Sequence, residues 1–161
     1  INILVKTLKN NFSWELNRSI LEAIMNDQLS DRFVCELVWE RLFYKKDKYS
    51  DSWNYSYKTP LYWSKTFIKA PLIISDRKAS THLTRSINKI NKNIIKEFLN
   101  FKGYKINELY PRRNRRAIAV NWLISWAKDS NIDIQEKGRM PYLSKPPLNR
   151  ISGHLDDLSL T

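Results

Sequence analysis

Pro111-Arg112-Arg113-Asn114-Arg115-Arg116 leads directly into Ala117-Ile118-Ala119-Val120-Asn121-Trp122-Leu123-Ile124-Ser125-Trp126-Ala127-Lys128. Proline suits a first helical turn, because its φ is already near the helical value and its missing N–H is one that the turn leaves unpaired anyway. At about 100° per residue, Val120, Leu123, Ile124 and Ala127 line one side of the helix and Ile118, Ala119, Trp122 and Trp126 line another. Asn114, Asn121, Ser125 and Lys128 remain as a narrow polar strip. A helix that is apolar around most of its circumference is buried around most of it. The segment is therefore expected to be the central helix of a compact, mainly α domain.

Working outward, Ser13 is a plausible cap for a helix carrying Leu16, Ile20, Ala23 and Ile24 on one face, about four turns long. Asn26 to Leu29 interrupt that pattern, Ser30 can cap again, and Phe33, Val34, Leu37, Val38 and Leu42 repeat the stripe, so the two segments read as a helical hairpin. Ile87, Ile90, Ile94, Phe98 and Phe101 predict a third helix, with Gly103 placed to end it. From Lys45 to Phe67 periodicity gives way to lysine, serine and aromatics. Beyond it, short strands are expected at Leu72 to Ile74 and Thr81 to Arg85, a small two-stranded β element at most. The resulting division is a helical domain over residues 1–130 and an irregular, proline-containing tail over 131–161, docked or disordered.

The composition supports a real core: 42% of residues are hydrophobic and 12% aromatic, too many for a disordered chain despite a net charge of +12. Three glycines argue against a glycine-rich phosphate loop or a dinucleotide fingerprint, which need several for their turns. No stretch approaches the ~18 apolar residues that span a bilayer. The single Cys35, within the second helix, excludes an internal disulfide and reads as a small core residue.

The basic character belongs to one region. Residues 77–128 hold 13 Lys and Arg against 2 Asp and Glu, whereas residues 1–76 hold 11 against 9 and residues 129–161 hold 4 against 5. Arg112, Arg115 and Arg116 are neighbours at i, i+3 and i+4, with Arg113 beside them, at a helix start whose free N–H groups and dipole also favour anions. Four cations there cost stability unless a bound anion or a partner's carboxylates compensate. The alternative is a solvated basic turn, with one arginine pairing to Glu108. Arg77, Lys78, Arg85, Lys89, Lys92, Lys96, Lys102 and Lys105 would widen the positive field, and Lys89, Lys92 and Lys96 share one face of the expected third helix. A surface of this kind attracts a nucleic-acid backbone by counterion release, RNA before DNA, without sequence preference.

Aromatics interleaved with lysines between Tyr49 and Phe67 can stack unpaired bases, but they more often pin a long loop to the core. Trp53, Tyr104 and Tyr110 are the candidate stacking residues. Catalysis finds little foothold, and no catalytic residue, metal ligand or cofactor is assigned. His82 and His154 lack neighbours at metal-ligand spacing, Asp156-Asp157 have no evident partner, and Glu36 and Glu40 form an ordinary exposed charge pattern with Arg32 and Arg41.

Leu83-Thr84-Arg85-Ser86-Ile87, Phe101-Lys102-Gly103-Tyr104-Lys105, Glu108-Leu109, Pro111-Arg112-Arg113, Arg115-Arg116-Ala117 and Asn121-Trp122-Leu123 resemble a family of cyanobacteria and plastids known as domain of unknown function 1823. The likeness runs from about residue 13 to 128. It implies a cytosolic or stromal protein of photosynthetic cells, and it carries no activity and no catalytic residue. The Lys/Tyr/Ser-rich connection and the tail after Asn131 depart from it. The function expected is a non-catalytic binding module for RNA, a ribonucleoprotein or DNA. The alternatives are an assembly or regulatory factor docking an acidic protein, such as a photosynthetic complex, and, more weakly, an enzyme acting on a phosphorylated metabolite.

Overall fold

A computed structural model describes residues 12–154 and residue 157. Among them are six α-helices: α1 (Arg18–Met25), α2 (Asp31–Arg41), α3 (Leu61–Ser64), α4 (Arg77–Ser86), α5 (Ile94–Leu99) and α6 (Pro111–Asp129). The one sheet is a two-stranded antiparallel ribbon, β1 (Lys45–Lys46) on β2 (Trp53–Asn54), with Lys45 opposite Asn54 and Lys46 opposite Trp53. The fold is mainly α, and α6 is its centre: it packs on α1, α2, α4 and α5. Val120 and Leu123 of α6 are fully buried against Ile20, Leu21 and Ile24 of α1, Val34 and Val38 of α2, and Leu83 of α4 in one continuous core. Asn121 and Ser125, from the polar strip, are buried too. The Asn121 amide accepts from the Ile95 N–H at 2.9 Å and donates to the Asn91 carbonyl at 3.1 Å. Asn91 in turn donates to Ser125 at 3.1 Å.

Those bonds explain why the expected third helix is broken. The chain must open at Asn91 to hand its backbone and side chain to α6, so the segment splits into a 3₁₀ turn at Lys89–Asn91 and the short α5. Ile90 points to water as a result, at 83% exposure. Helix α5 ends on Asn100 in the left-handed region (φ 53°), ahead of Gly103. Residues 81–85 are helical, not extended, because Asp76 caps α4 through the Lys78 N–H at 3.1 Å and Ala79, Ser80 and Leu83 form its buried side. Leu72 to Ile74 form no strand; Ile73 and Ile74 are nonetheless core residues. Helix α1 is also shorter than its apolar face suggests. Ser13 is drawn away to Glu40, bonding it through both N–H and hydroxyl, and Asn17 caps the helix by accepting from Ile20 N–H at 2.9 Å.

With few glycines, the helices end on other residues. Asp27, Phe43 and Asn131 take left-handed φ values of 58°, 63° and 54° just beyond α1, α2 and α6. Each end carries the paired backbone bonds of a Schellman turn, such as Gln28 N–H to the Ala23 carbonyl and Tyr44 N–H to the Trp39 carbonyl. Non-glycine residues there cost about 1 kcal/mol each. Asp27 has a compensating use in the ionic cluster at the start of α6.

The segment after α6 packs back as a strap across the hairpin. Arg18 N–H donates to the Gln135 carbonyl at 2.8 Å, Arg139 stacks over Trp14 at 4.1 Å, and Ser144 N–H donates to the Gln28 carbonyl at 2.9 Å. Gly138 passes so close to Asn17 that a Cβ there would meet its amide nitrogen at 2.9 Å. No described helix is long and apolar enough to cross a membrane.

Candidate functional site

The start of α6 is an anion site already filled by the chain's own carboxylates. Arg112 reaches Asp27 with two nitrogens, at 2.7 and 2.8 Å, and Asp31 with Nε at 3.0 Å. Arg116 donates to Asp31 at 2.7 Å and to the carbonyls of Ile24 and Leu29 at 3.0 and 2.7 Å. All four side chains are nearly sequestered, with 3 to 12% of their surface exposed. Burial alone would weaken the charge on Arg112, but the hydrogen bonds it donates to Asp27 and Asp31 override it and hold the guanidinium protonated more firmly than usual. Burial likewise pushes Asp27 up, and the Arg112 hydrogen bond, the charges of Arg116 and Arg112 and the His154 contact more than reverse it, leaving the carboxyl below its ordinary range. Two arginines and two aspartates balance, which relieves half of the positive charge at this helix start.

The expectation that Arg112, Arg113, Arg115 and Arg116 converge on an external anion is therefore corrected. Arg112 and Arg116 have their donors engaged inside the protein. Arg113 lies over the Tyr104 ring at 4.6 Å and pairs with Glu108 at 3.4 Å. Arg115 donates to the carbonyls of Ile74 and Ser75 at 3.1 and 3.3 Å. The candidate stacking residues are half-buried and have neighbours of their own. Tyr104 has Arg113 and Phe101 against its ring, and Tyr110 shares Arg113. Trp53 packs on Trp39, with ring centroids 5.5 Å apart.

The cations left facing water are the others. Arg77, Lys78, Arg85, Lys89, Lys92, Lys96, Lys102 and Lys105 are all exposed, and none forms an ion pair among the described residues. Between positions 77 and 105 the only acidic residue is Glu97. Because the third helix is broken, Lys89 and Lys92 sit on the 3₁₀ turn and its end, and Lys96 alone is on α5. On α4, Arg77, Lys78 and Arg85 with Thr81 and His82 ring an open hollow of about 530 Å³, with the capping Asp76 at its edge.

Residues 15–128 match the family model described as Domain of unknown function (DUF1823). The chain belongs to the DUF1823 family. Comparison with curated proteins and comparison with solved structures each returned no match.

The matched span holds Asp27, Asp31, Arg112 and Arg116, so this DUF1823 domain contains both sides of its buried ionic cluster. The cluster is closed from beyond the match. His154 Nε2 lies 3.0 Å from Asp27 Oδ1, and the Asp157 carboxylate accepts from the N–H groups of Asp31 and Arg32 at 2.9 and 3.0 Å, at the start of α2. Gly153 is needed for this closure: its φ is 94°, and a Cβ would come within 2.7 Å of Arg112 Nε. Asp157 thus has partners that the sequence does not announce, whereas Asp156 lies outside the described residues.

Arg41 of the DUF1823 domain was missed entirely. The i, i+4 pattern around it suggested a solvated charge, and Arg32 does pair with Glu36 at 2.9 Å. Arg41 instead is 3% exposed, bonded to the carbonyls of Leu37 and Trp14 and stacked on Phe12 and Trp126. Burial pulls its guanidinium down to about 10, with Glu40 and Glu15 opposing. The only forewarning was its place between Leu37, Val38 and Leu42 on the apolar side of α2. Cys35 is buried, and burial pushes its thiol up to about 12, so it is no nucleophile as it stands.

Proposed function

We propose that this DUF1823 protein is a non-catalytic binding module whose face over residues 77–105 engages the backbone of RNA, free or in a ribonucleoprotein, in the cytosol or the plastid stroma. One observation carries the reading: eight exposed cations in that stretch lack any ion-pair partner among the described residues, while Arg112 and Arg116 at the start of α6 are neutralised internally. A surface kept for solubility would mix both signs. Unpaired cations facing water release counterions from a phosphate backbone, and that release supplies affinity without requiring a base sequence. Because Asp27 and Asp31 occupy the start of α6, the proposal does not place a phosphorylated metabolite there.

A second reading has its own support. Ile90, Ile106 and Leu109 are 83%, 95% and 57% exposed in and just beyond the basic stretch, and apolar groups set among cations suit the surface of an acidic protein. Affinity purification from the source cell, with and without nuclease, separates the two. The RNA reading predicts copurifying nucleic acid and partners that are lost on nuclease treatment. Partners unchanged by nuclease, with no copurifying RNA or DNA, would refute it in favour of the acidic-protein reading.

A further inference from the structure

The end of α2, helix α3, the end of α4 and the last turns of α6 enclose a groove of about 480 Å³, within the range of small-ligand sites. Its walls are aromatic: Phe43, Tyr62, Trp63, Trp122 and Trp126. Trp122 is held by its indole N–H donating to the Ser86 hydroxyl at 3.0 Å, and Tyr62 is stacked on His82 at 3.9 Å and bonded through its hydroxyl to the His82 carbonyl. Phe43 stands at φ 63°, and its carbonyl accepts from both Ser56 and Thr59. A bulky residue in that conformation is strained, and the surroundings hold it there.

Charge decides what such a groove suits. Arg85 lines both the groove and the basic hollow of α4, so the two adjoin at that side chain. Arg41 also lines the groove, and it is a buried guanidinium with no ion-pair partner among the described residues and with Nε lacking any hydrogen bond. The acid in the lining is Asp129, which accepts from the Asn91 amide at 3.2 Å. Aromatic walls suit a flat ring, and the exposed Asp129 offers an acceptor to a polar ring edge. Arg85 with Arg77 and Lys78 gives a run of positive charge leading outward, which an uncharged apolar segment would leave unused.

We infer that the groove takes an unpaired base of a single-stranded nucleic acid, whose adjoining phosphates lie on Arg85 and the cations of α4. The inference rests on the proposed polyanion reading of the same face and adds to it a preference for single strands, because a paired base cannot leave its stack without a penalty.

The test is fluorescence anisotropy with labelled single-stranded RNA and duplex RNA of equal length, using the full chain and the variants Trp126→Leu and Tyr62→Leu. Tyr62 is 39% exposed, so its variant keeps the test open if Trp126→Leu does not fold. The unaltered protein should bind the single strand more tightly than the duplex, with quenching of tryptophan fluorescence. Each variant should weaken single-strand binding by about 5- to 100-fold and leave duplex binding unchanged. Equal binding of both RNAs, unaffected by either variant, would overturn the groove while leaving the polyanion face standing. Failure to bind either RNA would overturn both. Uridine monophosphate binding as tightly as the oligonucleotide would also overturn the inference, because the occupant would then be a free nucleotide.

Discussion

Replacing Arg116 with Ala should unfold much of this protein's stability margin without touching the surface that binds. The substitution leaves Asp27 and Asp31, whose side chains are 12% exposed, to share Arg112 alone, so one buried negative charge loses its counter-charge, and it removes the donor to the Leu29 carbonyl. Removing one partner of a buried pair costs about 3–5 kcal/mol, because the other charge stays buried and uncompensated. Against a typical margin of about 5–15 kcal/mol this is a large fraction. For a domain of this size, about 2–4 °C of midpoint accompanies each kcal/mol, so the loss corresponds to roughly 6–20 °C. Thermal denaturation followed by far-ultraviolet circular dichroism at neutral pH measures it. Arg113→Ala is the internal comparison: its side chain is 21% exposed and its Glu108 contact is 3.4 Å, so it should cost less than about 1 kcal/mol. An Arg116→Ala midpoint no lower than that of Arg113→Ala, combined with weakened RNA binding, would refute the assignment of Arg116 to the interior.

Three further outcomes follow from the same geometry. Asp157→Ala removes the side chain that accepts from the first N–H groups of α2 and should lower stability by about 0.5–2 kcal/mol in the same melting assay; an unchanged midpoint would mean the strap's closure contributes nothing. Asp27 has a folded pKa below its unfolded value, so its stabilising contribution is complete above about pH 5 and is lost as pH falls through the carboxylate range. Asp27→Asn should therefore be less stable at neutral pH and show a shallower loss of stability on acidification. His82 is lowered first by burial and then by Lys78, Arg85 and Lys65, despite its bond to the Tyr62 carbonyl. Its nuclear magnetic resonance titration should lie below 6.5 in the free protein and move upward when polyanion neutralises those cations; a midpoint that ignores RNA would place binding elsewhere.

Helix α6 was legible from its sequence because its signal is local: a proline at the first turn and apolar residues almost all the way round. The hairpin was legible for the same reason, although Ser13 was taken by Glu40 and the cap fell to Asn17. The break in the third helix was not, since Ile87, Ile90 and Ile94 keep perfect helical spacing and what interrupts them is a demand from Asn121 in another helix. The arginine run marked a real conflict between cations and a helix dipole, and the sequence could not say that the compensating carboxylates lay some 85 residues upstream, at Asp27 and Asp31. Arg41 reads as a surface charge for lack of any sequence mark distinguishing a guanidinium bonded to carbonyls and rings from one in water. The exposed lysines were visible as composition, but their freedom from acidic partners is a property of the folded surface.

The salt dependence of RNA binding tests the central claim most directly. Association of single-stranded RNA should fall linearly on a double-logarithmic plot against salt, and Lys89→Gln, Lys92→Gln and Lys96→Gln together should flatten the slope by about 2, at ~0.7 per neutralised phosphate on a single strand. Stability of that triple variant should be unchanged, since all three side chains are exposed and unpaired among the described residues. A slope equal to that of the unaltered protein, or no binding at low salt, would contradict the assignment of this face to a phosphate backbone.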